Sequence, residues 1–98
     1  MKFVKDTTNR GFKILHFFDD NEEVCDIQLS SADDPHVWVG PHLPNPQILA
    51  SKIDSNKTGW IKYNIPEDVL ITHRMHLNRK QSLEVGIKLI LFGLFNRL

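Results

Sequence analysis

The chain reads as a small α+β domain: an antiparallel sheet of four to five strands packed against a C-terminal helix. Three observations predict it. Residues 12–29 hold two strand-like runs around the turn cluster Asp19-Asp20-Asn21-Glu22, which is a hairpin pattern. Residues 69–77 alternate with period two: Val69, Ile71, His73, Met75 and Leu77 on one face, Leu70, Thr72, Arg74 and His76 on the other. Residues 78–95 then switch to helical periodicity behind Asn78 and Gln81, a capping-box start.

Taken in order, residues 1–10 are polar and read as a loose lead-in, with Phe3 and Val4 able to pin it to the body. In the second run of the hairpin, Cys25, Ile27 and Leu29 share one face and Asp26 and Gln28 the other. Val37-Trp38-Val39 is a short third strand closed by Gly40-Pro41. Asn45-Pro46 precedes a short helix over 47–53, because Asn suits the N-cap and Pro the first turn. Residues 60–65 are a strand ended by Pro66.

The C-terminal helix has an apolar stripe of Leu83, Ile87, Ile90, Leu91 and Leu94, widened by Val85, Leu89, Phe92 and Phe95. Gly86 and Gly93 each weaken it by about 1 kcal/mol relative to Ala. The stripe is wider than one sheet face covers. The excess is buried by the lead-in and the proline-rich loop, or it is a homo-oligomer contact.

Ninety-eight residues suit a single domain, 1–98. Twelve basic and twelve acidic residues cancel, which disfavours a general nucleic-acid binder. Cys25 is the one cysteine, so no internal disulfide forms. The first residues lack the apolar core of a signal peptide, and residues 83–95 are too short to span a bilayer. The expectation is a cytoplasmic protein with no membrane partner.

No catalytic motif stands out. His16, His36, His42, His73 and His76 show no i, i+4 pair, and Cys25 has no CxxC partner, so neither metal nor cofactor is expected from spacing. Cys25 reads as a buried apolar residue rather than a nucleophile. The acidic clusters Asp19-Asp20, Glu22-Glu23 and Asp33-Asp34 fall in turns and match no calcium loop. A P-loop, GxGxxG and GxSxG are all absent.

The exception is the run from Thr72 to Gln81, with five potential cations in ten residues. Arg79 and Lys80 fall in the first helical turn, where the helix dipole favours acids. A local rule broken in this way points to function. Arg74, His76, Arg79 and Lys80 form the expected anion site, with Trp60 as a stacking partner. Solvation, or pairing with Glu67, Asp68 and Glu84, accounts for the same cations structurally.

The blocks Phe18-Asp19, Cys25-Asp26-Ile27-Gln28-Leu29-Ser30-Ser31, Val37-Trp38-Val39-Gly40, Thr58-Gly59-Trp60, Ile65-Pro66 and Arg74-Met75-His76-Leu77-Asn78-Arg79-Lys80-Gln81 together resemble a family of short bacteriophage and prophage proteins, over residues 12–92. The extreme C-terminus departs from that pattern by being more apolar. The resemblance carries over no catalytic residue. It implies a non-enzymatic accessory protein in the host-cell cytoplasm that counters host defence, by capturing an anionic nucleotide signal or masking a defence protein. A protein–protein inhibitor using the helix face, or acidic turns around Asp19, Asp20, Glu22 and Glu23, is the alternative. A small hydrolase is a third reading.

Overall fold

The computed structural model describes residues 1–31 and 35–98. Asp33 and Asp34, read above as a turn cluster, lie outside the described residues. The chain divides into two units, Met1–His42 with Arg74–Leu98, and Leu43–His73.

The first unit holds β1 (Val4–Thr7), β2 (Lys13–Phe18), β3 (Val24–Ser30), β4 (His36–Pro41), β7 (Met75–Asn78) and the helix α1 (Arg79–Phe95). Its strands form one sheet in the order β1-β2-β3-β4-β7, antiparallel throughout. The α+β class, the five-stranded sheet and the C-terminal helix are those the sequence predicts.

The β2–β3 hairpin is set by its turn. Asp19 Oδ1 accepts from the backbone N–H of Asn21 at 2.9 Å and of Glu23 at 3.0 Å, and Glu22 takes a left-handed φ of 63°. That side-chain-closed loop puts Phe18 opposite Val24 and His16 opposite Asp26. The lead-in is corrected: residues 4–7 are an edge strand against β2. Gly11, at φ 87°, permits the connecting turn. Phe3 is pinned as expected, its ring 5.5 Å from that of Phe17.

The strand expected over 69–77 shortens to Met75–Asn78. Val39 pairs with Met75 in β4–β7, so continuing the ladder would set His73 against Pro41. Proline has no N–H to give, and the ladder stops there.

The second unit contains β5 (Gln47–Leu49), a 3-10 turn (Ala50–Lys52) and β6 (Trp60–Lys62). The helix expected over 47–53 is therefore a strand and a tight turn. Ile48 pairs with Ile61 and Leu49 with Trp60. The Pro46 carbonyl accepts from Tyr63 N–H at 3.0 Å, which continues the pairing past β6. Cross-strand pairing of branched and aromatic residues outweighs the local capping signal here.

At the head of α1, Asn78 Oδ1 accepts from Gln81 N–H at 2.8 Å, and Gln81 Oε1 accepts from Asn78 N–H at 3.1 Å. Ser82 Oγ donates to the Asn78 carbonyl at 2.7 Å. The capping box predicted from sequence is present in full. Asn78→Ala removes the acceptor, and the expected cost is about 1 kcal/mol in urea unfolding. An unchanged midpoint would show that the cap does not hold the helix start.

Very little of the chain is fully buried. Ile14, Cys25 and Ala50 are the buried apolar residues, and Asp26 the buried polar one, among the described residues. The helix makes its main contact with the sheet at β7 and buries none of its residues. Leu83, Ile87, Leu89, Ile90, Phe92, Leu94 and Phe95 are 49% to 69% exposed.

On the sheet, Leu15, Phe17, Cys25, Ile27, Val37, Val39 and Leu77 share one face by register. Only Cys25 of these is buried. An open cavity of about 490 Å³ lies over Thr7, Leu15, Ile27 and Leu29. Two apolar surfaces, one on the sheet and one on the helix, are thus left wet. No helix among the described residues is long and apolar enough to cross a membrane.

Candidate functional site

The opposite face of the sheet is polar, and the register explains its composition. Gln28 stands across from Trp38, and Trp38 across from His76. Directly opposed residues on antiparallel strands place their side chains on one face.

Trp38 and His76 stack with ring centroids 4.0 Å apart and planes 25° from parallel. His36 stacks on His76 from the other end of β4, at 4.6 Å. Arg74 holds its guanidinium 5.4 Å from the Trp38 ring centroid and donates to Gln28 Oε1 at 2.8 Å. His76 Nε2 lies 3.0 Å from Ser30 Oγ. The hydrogen bond from Arg74 fixes its fork, and the indole face offsets part of the desolvation of its charge.

Of the five residues expected at the anion site, Arg74 and His76 are brought together. Their aromatic neighbour is Trp38. Trp60 is on β6 in the second unit and 64% exposed. Lys80 lies 4.0 Å from Glu84 one turn on, and both are well exposed, so its place in the first turn has a local partner of small value. Arg79 borders a concavity with His36, Leu77 and Asn78.

Beside this row lies a second cluster. His16 and Gly40 both pair with Asp26, one from each side. Gly40 has no side chain to fill the place next to Asp26. His42, two residues further, reaches the carboxylate instead, its backbone N–H bonded to the Val24 carbonyl at 2.8 Å. Asp26 Oδ1 accepts from His16 Nδ1 at 2.5 Å, and Asp26 Oδ2 accepts from His42 Nδ1. A carboxylate only accepts, so each imidazole carries its proton on Nδ1. The Asp26 side chain is 1% exposed, His16 25% and His42 47%. The two imidazole rings sit edge to face at 5.5 Å, and Asp6 approaches His16 Nε2 at 3.9 Å. The donor atoms of His16, Asp26 and His42 all lie within 4.8 Å of one another.

Asp26 is on the face the alternation gives it, yet that face is covered at this point. Part of the cluster was readable: a five-residue turn over 19–23 makes His16 the partner of Asp26. His42 comes from a separate segment, and no spacing rule connects it.

Cys25, next to Asp26, is buried and unbridged. Burial pushes its thiol pKa up, and the charges of Asp19, Asp26 and Glu23 add to the effect. Both effects favour the neutral thiol over the thiolate.

No family model, curated protein or solved structure matches the chain.

Proposed function

We propose that the chain is a non-enzymatic, self-associating accessory protein of the bacteriophage type, which counters host defence by capturing an anionic, nucleotide-like signal on its polar sheet face. The observation that carries this reading is the pairing of an oriented cation with a ring system: Arg74 over Trp38, and Trp38 stacked on His76. A guanidinium fork takes phosphate, and rings beside it offer a base a stacking surface. Arg79 and Lys80 add charge from the start of α1.

Native mass spectrometry of freshly purified protein tests the reading. A retained nucleotide-like mass is expected. Arg74→Ala with Arg79→Ala should weaken its rebinding by about 100-fold, the equivalent of one or two charge-assisted hydrogen bonds. Full binding by a folded double variant would remove these residues from the site.

A second reading, direct masking of a defence protein, is favoured by the wet apolar surface of α1. A clean apo mass together with a stoichiometric host protein would favour it over nucleotide capture.

A further inference from the structure

We propose that His16, Asp26 and His42 form a binding site for a divalent first-row transition metal. The proposal does not depend on the nucleotide reading. It rests on three observations. Two imidazoles and one carboxylate converge from β2, β3 and the segment after β4, with one donor atom from each inside a 4.8 Å span. The carboxylate is buried, so its charge is little screened by water. One imidazole, that of His42, is half exposed and gives a metal a route in.

The donor chemistry selects the ion class. Two imidazoles with a carboxylate suit Zn²⁺, Co²⁺, Ni²⁺ or Fe²⁺, whereas Ca²⁺ and Mg²⁺ prefer all-oxygen sets. Three protein ligands leave coordination positions for water. The 2.5 Å His16–Asp26 separation is that of a hydrogen bond. Neighbouring ligands on one metal stand roughly 3 Å apart, given bonds of about 2.0–2.1 Å. Loading therefore requires each Nδ1 to give up its proton, which tautomer exchange places on Nε2. The freed Nδ1 lone pairs then face the metal, and the side chains adjust from a spread of up to 4.8 Å to the ligand spacing. His42 lies just beyond the end of β4, with its backbone held by the N–H bond to the Val24 carbonyl, so the shift is one of its side chain. Asp6, beside His16 Nε2, accepts the relocated proton's hydrogen bond after a small approach.

Cobalt titration of chelator-stripped, full-length protein tests this. Visible d–d absorption should saturate at one Co²⁺ per chain, and Zn²⁺ should bleach it by displacement. Asp26→Asn and His42→Ala should each weaken uptake by about 100-fold, with far-UV circular dichroism confirming the fold. His36→Ala with His76→Ala, on the neighbouring row, should leave the titration unchanged. The wild-type titration decides the question even where a variant fails to fold. Wild-type protein that takes up no stoichiometric Co²⁺ overturns the site. So does uptake that is lost in the His36/His76 double variant and kept in His42→Ala.

Discussion

Ile87→Arg combined with Phe92→Arg is expected to leave the chain monomeric and without cooperative unfolding. The argument is one of area. A folded monomer of 11.4 kDa exposes about 5,800 Å², and this chain exposes 8570 Å². Treating the two units as separate bodies raises the expectation only to about 6,900 Å². The remaining excess, about 1,700 Å² per chain, is comparable to what one partner contributes to an obligate interface.

The composition of that surface says which partner. The second half of α1 is apolar around its circumference, and such a helix is stable in water only when buried. The same chain carries an under-covered sheet face of Leu15, Ile27, Val37, Val39 and Leu77. One copy has both halves of a helix-on-sheet layer and does not close it. Two copies would close it twice if each laid α1 on the other's sheet, in an isologous exchange. Sedimentation should give the wild type as a dimer or a multiple of it at micromolar concentration. The double-arginine chain should sediment as a monomer and show a broad, low-amplitude thermal transition. A wild-type monomer with a sharp transition would refute the exchange. Flotation of the wild type on neutral lipid vesicles, with no dimer in solution, would reassign the stripe to a membrane surface.

How far the sequence discloses this arrangement depends on the range of the forces involved. The hairpin, the Asn78 cap and the helix were legible because neighbours fix them: Asp19 closes its own turn, and Asn78 and Gln81 close each other. The strand at Gln47–Leu49 was not, because Asn45-Pro46 is an acceptable helix start and only the distant partner Ile61 decides otherwise. The early stop of β7 was hidden for the same reason, since it follows from the ladder position of Pro41. Alternation placed Arg74 and His76 on one face, but their aromatic neighbour, Trp38, depended on the β4–β7 register. The His42 contact with Asp26 was least accessible of all. It joins two segments beside the Asp26–Gly40 pair, a feature with no local signature.

Asp26→Ala should be the most destabilising single substitution in the sheet, with a loss of about 3 kcal/mol. Two estimates bracket it. Removing one partner of a buried hydrogen bond costs about 1–3 kcal/mol for each group left stranded. Hydrogen bonds to a charged group contribute about 1.5–3 kcal/mol each. His42 is half exposed and His16 a quarter exposed, so water can reach both Nδ1–H groups after the truncation. The stranding term is then reduced, and the lower part of each range applies. Asp26→Asn separates charge from shape. Its amide oxygen still accepts from one imidazole, while its N–H₂ faces the other, which must switch tautomer to accept. That variant should lose about 1–2 kcal/mol. Urea unfolding at fixed protein concentration, with Zn²⁺ excluded by chelator, measures both without a metal or dimer contribution that differs between samples. Equal losses for Ala and Asn would mean that the carboxylate charge carries the whole effect, and an Asn variant as stable as the wild type would mean that the charge holds nothing. A loss below about 1 kcal/mol for Ala would mean that the imidazoles do not depend on Asp26 at all, since even one neutral hydrogen bond contributes that much.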